Sequence, residues 1–479
     1  MKNAVAAIVL LLVHLTNIPV VAQPKTISRI SIELDKMAQA DHFSGTILIA
    51  KDGQVLLQKA FGFSNRADLV RNQLSTRFNM ASVTKMFTGM AILQLAERGK
   101  LSINQTVGEY LPDYPDKAIA DSITIHQLLT HTSGLGNFWE EFDRVPKEKY
   151  QSVDDFIRLF AGKPLPSTPG SRYSYSNAGY ILLGKIIEKV SGQTYFDFVR
   201  EHILLPAGMQ ATDALELDNA EPGIATGYTM DQDKPGHWKN NNFVNVFKGG
   251  PAGGYYTTAG DLLRFSKAIT NHLLLNENST RLYLTGKIRY DKGYYAYGIS
   301  TDTINGYGIT GHTGGHFGIA NEFLMCPQLG YTVIILTNGE VETYWDVANL
   351  IKSNLFGRST SSDNYYFTKK IITEVLRNGE EAGYRIAKTE GTSYRLRESV
   401  IDRWAYHCLF DKKNQAAIAL FKLNKRCFPG STGAIYSLAE GYRLTGDMKN
   451  ARAAYAEYLL LEPADEEAKA KLQRLTKPN

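Results

Sequence analysis

Ser82 and Lys85 place a hydroxyl and an amine three residues apart in this chain. Positions three apart lie on one face of a helix, so both side chains would point into the same space. A serine hydroxyl is a poor nucleophile at neutral pH and needs a neighbouring base to take its proton. The pair therefore indicates nucleophilic catalysis. On its own it is a weak signal, because a Ser-x-x-Lys arises by chance about once or twice in a chain of this length.

The residues that follow this pair predict a helix. Apolar side chains recur at helical spacing as far as Gly99, where a helix is expected to end; they are Val83, Met86, Phe87, Met90 and Leu93. At the N-terminus of that helix, Ser82 would lie beside unpaired backbone N–H groups, which can stabilise a developing oxyanion. The alternative interpretation is that Ser82 only caps the helix.

Two further motifs supply groups that would complete such a site. Tyr175-Ser176-Asn177 precedes an apolar run over residues 178–190, and His312-Thr313-Gly314-Gly315 stands at the end of a predicted strand. A tyrosine hydroxyl and a lysine amine are both able to act as a base, and an asparagine amide offers a donor and an acceptor. Each residue also has a structural alternative: Tyr175 as a buried aromatic, Asn177 as a helix cap and His312 as a structural residue.

In this order, the three motifs resemble those of the serine β-lactamase and penicillin-binding-protein superfamily. The chain is most similar to the class C β-lactamase branch, with its D,D-peptidases, D-aminopeptidases and esterases. The resemblance covers about residues 28–356 and includes the stretches 125–135 and 253–262. It implies an α+β fold, in which an antiparallel sheet is flanked by helices and accompanied by an all-helical subdomain.

The resemblance also implies roles for the motif residues. Ser82 attacks a carbonyl and becomes an acyl-enzyme, with Lys85 or Tyr175 as the base; the sequence leaves that choice open. Asn177 orients the substrate amide and Lys85. The oxyanion hole maps to the backbone N–H groups of Ser82 and Gly315. We expect no cofactor and no metal, because the cysteines and histidines match no metal-binding spacing.

The third motif departs from the usual β-lactamase form. His312 and Thr313 belong to the substrate-binding set that the resemblance implies, yet β-lactamases generally carry lysine where His312 stands. A lysine gives a permanent cation for a substrate carboxylate, whereas histidine is mostly neutral at pH 7. We therefore expect hydrolysis of an amide or ester rather than antibiotic resistance. His316 is expected at the rim of the site, and His126 and His131 in turns and packing.

The elements that must position these motifs form one predicted domain over residues 28–357. Two β-rich runs around Asp52-Gly53 predict a hairpin over residues 43–60. Three more strands are predicted at the far end, over residues 306–311, 319–325 and 331–337. Their nearly continuous apolar residues indicate a sheet covered on both sides. Strands at both ends with helices between them predict an α+β domain whose ends share a sheet.

A second domain is predicted from a change in composition after Gly357. Residues 358–364 are polar and serine-rich, which indicates a linker, and residues 365–479 look helical. A repeat appears at an offset of 34 residues, and its matched pairs are Ala405 with Ala439, Ala417 with Ala451, Phe421 with Tyr455, and Pro429 with Pro463. This pattern is similar to the tetratricopeptide repeat and predicts a small all-α domain. Residues 367–388 are expected to form a degenerate capping hairpin before the repeats.

The N-terminus and the charge balance bear on location and partners. Residues 1–22 read as a cleaved signal peptide, with Lys2, an apolar core and a small-residue cleavage site, so we expect a periplasmic or secreted protein without a stable membrane span. The net charge is +5, and its excess lies in residues 365–479, which carry 20 basic and 14 acidic residues. These charges are interspersed, so nucleic-acid binding is not expected. Cys408 and Cys427 are able to pair or to remain free thiols.

These features together predict an exported serine hydrolase that works through an acyl-enzyme on a small-molecule or peptide substrate. D-amino-acid and cell-wall peptides are among the expected substrates. Two alternatives remain: a β-lactamase, and an inactive hydrolase-fold binding protein that recruits a partner through its repeats. Whether the repeats bind a protein partner or only cap the catalytic domain is left open by the sequence.

Overall fold

The computed structural model describes residues 24–39, 43–231, 233–291, 293–339, 341–391 and 393–476. The predicted signal peptide lies outside these residues. Within them, no helix combines the length and the apolar character needed to cross a membrane.

An eight-stranded antiparallel sheet forms the centre of the fold. Its strands in chain order are β1 (Gly45–Lys51), β2 (Gln54–Phe61), β3 (Ile288–Tyr290), β4 (Gly293–Tyr295), β5 (Ser300–Ile304), β6 (Tyr307–His316), β7 (Ile319–Cys326) and β8 (Tyr331–Thr337). Their order across the sheet is β2-β1-β8-β7-β6-β5-β4-β3. Because β1 pairs with β8, the two ends of the predicted domain share one sheet, as the sequence predicts.

The predicted strands are present. The hairpin is formed by β1 and β2, and the turn residues Asp52 and Gly53 have φ of 50° and 73°. Positive φ at both positions matches the right-handed twist of the flanking strands. The three strands predicted at the far end are β6, β7 and β8. Strand β6 continues to His316, so the third motif lies inside the strand instead of at its end.

Both faces of the sheet are covered, as the continuous apolar runs predict. Side chains alternate across a strand, so Ile47 and Ile49 lie in one core together with Ile30 and Ile351, which come from the helices Pro24–Gln39 and Val341–Phe356. Leu48 and Ala50 lie in the larger second core on the opposite face. That core includes the helix that follows Ser82, so this helix is anchored to the sheet through packing.

The expected all-helical subdomain occupies residues 85–207. Its helices are Lys85–Glu97, Val107–Tyr110, Lys117–Ser122, Ile125–Leu129, Trp139–Asp143, Val153–Ile157, Asn177–Ser191, Tyr195–Val199 and Leu205–Ala207. Two later helices, Ala259–Thr270 and Glu277–Leu284, return the chain to the sheet. The helix predicted after Ser82 ends at Glu97, and Gly99 follows with a φ of 67°. The predicted end of that helix is therefore confirmed.

The C-terminal part of the chain is helical, as predicted. Its helices are Thr360–Asn378, Glu380–Glu390, Glu398–Phe410, Asn414–Cys427, Thr432–Thr445, Met448–Leu461 and Glu466–Thr476. The helices that start at Glu398 and Asn414 recur 34 residues later, at Thr432 and Met448. Three of the four matched pairs, both alanine pairs and Phe421 with Tyr455, are fully buried. The hairpin geometry fits the predicted repeat, while the tetratricopeptide assignment itself stays a prediction.

Residues 358–364 differ from the expected linker. The helix Thr360–Asn378 already includes most of them. Ser359 caps the N-terminus of this helix, because its hydroxyl accepts from the N–H of Ser362. The hydroxyl of Ser362 in turn accepts from the N–H of Ser359. The serine-rich composition, which we interpreted as a linker, instead supplies this reciprocal cap. The cysteines Cys408 and Cys427 are both free thiols in the structure.

The C-terminal helices pack directly on the first domain. Trp238 and Phe410 meet with ring centroids 4.8 Å apart, and Arg403 Nη1 lies 3.0 Å from Glu342 Oε1. The hydroxyl of Tyr365 donates to Asp346 Oδ1 at 2.6 Å. The two parts of the chain are therefore joined by aromatic, ionic and hydrogen-bonded contacts.

Candidate active site

Ser82 lies on a tight, strained turn between a short strand and a helix. The turn Ala81–Thr84 is a 3-10 helix that leads into the helix Lys85–Glu97. Ala81 has a φ of 45°, a conformation that costs on the order of 1–3 kcal/mol for a residue with a Cβ. Its N–H donates to Asn79 Oδ1 at 2.9 Å, and its carbonyl accepts from the Thr84 hydroxyl at 2.8 Å. These bonds hold the strained residue that immediately precedes the nucleophile.

Lys85 is the centre of the hydrogen bonding around Ser82. Its Nζ lies 3.2 Å from Ser82 Oγ and 2.7 Å from Asn177 Oδ1, and it also contacts the carbonyl oxygen of Ala252. The side chain is fully buried, with its Nζ 4.8 Å from the centre of the Tyr175 ring. The structure thus brings Ser82, Lys85 and Asn177 together, as the helical spacing and the motif order predict.

Burial sets the protonation state of Lys85. Removing the ammonium from water lowers the pKa of Lys85 well below its ordinary value. The described groups that its amine contacts, Ser82 Oγ, Asn177 Oδ1 and the carbonyl of Ala252, are all uncharged, so none of them reverses this effect. Burial therefore lets the amine lose its proton at a lower pH than an exposed lysine does.

Asn177 is fixed by a residue that sequence reasoning missed. The Oδ1 of Asn137 accepts from the backbone N–H of Asn177 at 2.9 Å and from its Nδ2 at 3.1 Å. This orientation turns the amide oxygen of Asn177 toward Lys85. The Nδ2 of Asn137 donates to the carbonyl of Tyr175 at 3.2 Å. Asn137 therefore bonds to both ends of the second motif, Tyr175 and Asn177. It lies 40 residues before Asn177 in the chain, and no local sequence pattern indicates this contact.

The side chain of Tyr175 is half-buried next to Ser82, with its hydroxyl oxygen buried. Its hydroxyl interacts with Ser82, although no described group meets full hydrogen-bond geometry with it. Burial raises the pKa of Tyr175 above its ordinary value, and the interaction with Ser82 offsets only part of that rise. His131 stacks on Tyr175 with ring centroids 4.2 Å apart, which fits the packing role expected for His131. A tyrosine in this setting holds its proton firmly.

His312 lies deeper than its predicted role in substrate binding implies. It is buried, its Nε2 lies 2.9 Å from the hydroxyl of Tyr295, and its Nδ1 contacts the carbonyl of Thr313. Nδ1–H donates to that carbonyl, so Nε2 accepts from Tyr295. Burial and the nearby Lys85 lower the pKa of His312 to about 3. The expected neutral histidine is therefore consistent with the structure, but both ring nitrogens are already bonded within the protein.

A cavity that is partly open to solvent lies beside Ser82. Of the predicted site residues, Ser82, Asn177 and Gly315 line it, whereas Lys85 and Tyr175 lie behind them and His312 and Thr313 are outside the lining. His316 also lines the cavity, as expected for a rim residue; its Nε2 lies 2.9 Å from the carbonyl of Val244. The cavity is thus a place where a carbonyl carbon can meet the hydroxyl of Ser82.

Strand β6 approaches the nucleophile closely because of one glycine. A Cβ built on Gly314 would lie 2.3 Å from the carbonyl oxygen of Met80, a distance that side chains do not tolerate. The glycine therefore lets the strand and the Ser82 turn come together. As a result, Gly315 lines the same cavity as Ser82.

Comparison of the chain with known proteins identifies the family to which it belongs. A family model described as beta-lactamase matches residues 31–351. The chain belongs to the beta-lactamase family. Penicillin-binding protein 4* of Bacillus subtilis is 29% identical over 345 residues, which cover 68% of this chain and 75% of that protein.

Two solved structures of penicillin-binding proteins are similar to this chain in sequence and in fold. A penicillin-binding protein from Bacillus halodurans is 34% identical, with a TM-score of 0.61 over 67% of this chain and 98% of that one. A penicillin-binding protein homologue from Pyrococcus abyssi, described as octameric, is 25% identical, with a TM-score of 0.63 over 73% of this chain and 82% of that one. The three predicted motifs all fall within the part of the chain that matches the beta-lactamase family. This assignment makes the chain a member of a superfamily of serine hydrolases.

Proposed function

We propose that this protein is a serine hydrolase that forms an acyl-enzyme on Ser82 and transfers the acyl group of an amide or ester to water. One observation carries the proposal: the hydroxyl of Ser82 lies 3.2 Å from a buried lysine amine at the mouth of a cavity. A nucleophile, a base beside it and room for a carbonyl are the three parts that acyl transfer requires.

We assign the base to Lys85. A neutral amine has two N–H groups and one lone pair. The two N–H groups match the two acceptors that Lys85 contacts, Asn177 Oδ1 and the carbonyl of Ala252. The lone pair then faces the hydroxyl of Ser82, which donates to it and loses its proton on attack. Tyr175 suits this role less well, since burial raises the pKa of its hydroxyl.

The steps follow from these positions. Ser82 Oγ bonds to the carbonyl carbon while its proton passes to Lys85, and the N–H groups of Ser82 and Gly315 would hold the oxyanion. Lys85 returns the proton to the leaving oxygen or nitrogen as the bond from the acyl carbon to that atom breaks. Water then attacks the acyl-enzyme by the same route in reverse and releases the acid.

Finer assignments are also proposals. The Tyr175-Ser176-Asn177 motif supports the class C-related branch, in the esterase-like or D,D-peptidase-like group. The signal-peptide pattern of residues 1–22 supports export to the periplasm or the outside. The buried, bonded His312 argues against a β-lactamase that grips a substrate carboxylate through that residue.

A panel of substrates tests the proposal. Small esters, D-amino-acid amides, D-Ala-D-Ala peptides and a chromogenic cephalosporin are assayed with wild type and Ser82→Ala. Turnover of an ester or amide by wild type that Ser82→Ala abolishes supports the proposal. Ser191→Ala, at the C-terminal end of the helix that Asn177 begins, serves as the matched control and should stay active. If folded wild type hydrolyses nothing in a Ser82-dependent way, the proposed function is wrong.

A further inference from the structure

The cavity next to Ser82 has mostly apolar walls. Its five large apolar side chains are Phe138, Trp139, Phe156, Ile181 and Val246, and Ala81 and Ala252 add two small ones. Phe138 and Phe156 pack edge to face with centroids 5.5 Å apart, and Trp139 stacks on His316 at 5.8 Å. These contacts fix the rings, so the apolar wall is a preformed surface.

The apolar surface continues to the outside of the site. Phe317 is 60% exposed and packs against the lining residue His316, with ring centroids 5.3 Å apart. Phe243 is 89% exposed and lies two residues before the lining residue Asn245. The two segments that carry them are joined, because Asn241 Nδ2 donates to the carbonyl of Phe317 at 2.8 Å and His316 Nε2 bonds to the carbonyl of Val244. An exposed aromatic side chain that packs on a lining residue, as Phe317 does, favours apolar ligands.

The basic side chains that line the cavity are already bonded. Lys248 Nζ lies 2.9 Å from Glu216 Oε1 and 4.6 Å from the centre of the Phe196 ring. His316 is bonded through Nε2, and burial lowers its pKa. Both basic side chains among the described lining residues are therefore already engaged by other groups of the protein. A carboxylate placed here would lose its hydration without gaining an unpaired cation from the described lining residues, which is unfavourable.

We propose that the site accepts an uncharged, apolar acyl group, aliphatic or aromatic, and discriminates against acyl donors that carry a carboxylate. The proposal rests on the proposed acyl transfer at Ser82 and specifies its substrate. The bond that forms joins Ser82 Oγ to the carbonyl carbon of the apolar acid. The bond that breaks releases an alcohol or an amine, and water is the second reactant.

Three 4-nitrophenyl esters test this directly: the hexanoate, the adipate with a free second carboxylate, and the methyl ester of that adipate. They share the reacting group and differ at the far end of the acyl chain. We expect kcat/KM for the hexanoate and the methyl adipate to exceed that for the free adipate by at least tenfold. From acetate to hexanoate, each buried methylene should raise kcat/KM by up to roughly fourfold. An adipate turned over as well as the methyl adipate would overturn the proposal.

A substitution inside the cavity gives an independent check. Val246→Lys places a cation among the lining residues and should shift the adipate-to-hexanoate ratio at least fivefold toward the adipate. Val55→Lys, at a 48% exposed position on β2 and outside the lining, is the control and should leave the ratio unchanged. A ratio that shifts equally in both variants, or in neither, would contradict the proposal. If Val246→Lys fails to fold, Val246→Phe replaces it in the test. Val246→Phe should lower kcat/KM for the hexanoate more than for the acetate. An equal effect on both esters would contradict the proposal.

The two proposals fail in different ways. If no ester is hydrolysed in a Ser82-dependent manner, the proposed function is wrong. If Ser82-dependent hydrolysis is present but prefers the free adipate, the proposed function stands and the apolar acyl site is wrong.

Discussion

The amine of Lys85 lies 2.7 Å from the amide oxygen of Asn177, and each of these residues is the first of its helix. Two helix N-termini therefore converge on one buried amine. Helix N-termini carry partial positive charge, which disfavours an ammonium and adds to the effect of burial. The same contact orients Asn177, so the first two motifs form one unit although 92 residues separate them.

Replacing Lys85 by arginine should remove the base and keep a long basic side chain. A guanidinium cannot be deprotonated in a protein, so the rate of acylation should fall about 10²–10⁴-fold. Stopped-flow measurement of the release of the leaving group gives this rate. Lys185→Arg, on the surface beside Asp154, is the control. An active Lys85→Arg enzyme would assign the base elsewhere.

The pH dependence of wild type follows from the direction of the Lys85 shift. The pKa of Lys85 is lowered, so the neutral amine exists at a lower pH than for an exposed lysine. We predict that kcat/KM rises with pH through that pKa and then reaches a plateau. His312, with a pKa of about 3, should add no step between pH 5 and 8. A profile that falls over this range would contradict the assignment of Lys85 as base.

Asn137 should act as a positioning residue. Asn137→Ala removes the acceptor of two hydrogen bonds from Asn177, and we expect kcat to fall about tenfold, because Asn177 then orients Lys85 less well. Asn137→Asp keeps the acceptor oxygen and should recover most of kcat. Steady-state kinetics with a saturating ester distinguishes the two variants. If both lose activity equally, or if only the melting temperature changes, Asn137 has a different role.

His312 should make the fold sensitive to acid. Its folded-state pKa of about 3 lies below the unfolded value of about 6.5, so the unfolded chain binds the proton first. The contribution of His312 to the free energy of unfolding is complete above about pH 6.5 and is lost as the pH falls toward 3. At pH 5 this loss amounts to about 2 kcal/mol. His312→Gln should lose less free energy of unfolding than wild type between pH 7.5 and 5 in denaturant titrations. His237→Gln, at an exposed site, should behave like wild type.

The contact between Trp238 and Phe410 should stabilise the joined domains. Phe410→Ala removes an aromatic pair worth about 0.5–1.5 kcal/mol beyond the area that it buries, so the melting temperature should fall. Leu460→Ala, at an 83% exposed position on another C-terminal helix, is the control. Thermal unfolding followed by circular dichroism provides the measurement. Equal melting temperatures for Phe410→Ala and wild type would show that the contact contributes no stability.

Local spacing predicts much of this molecule. The Ser82–Lys85 spacing places both groups on one face, Asp52-Gly53 places the hairpin, and the 34-residue offset places the helical pairs. Each of these signals depends on a few neighbouring residues, or on a repeat of one unit. The family of the chain also follows from motifs that are short and contiguous.

Other features depend on contacts that a sequence does not display. Asn137 reaches Asn177 across a loop, and Tyr295 bonds to His312 from another strand. The positive φ of Ala81 could not be predicted from the sequence either, because alanine rarely adopts that conformation. The depth of His312 depends on the packing of rings from several elements around it.

Covalent labelling of Ser82 is the most direct test of the acyl-enzyme account. The folded protein is treated with a fluorophosphonate, digested and mapped by mass spectrometry, with Ser82→Ala treated in parallel. We predict one adduct per molecule, on the peptide that contains Ser82, and no adduct in Ser82→Ala. An unlabelled Ser82 in folded, wild-type protein, or equal labelling of Ser82→Ala, would contradict the account.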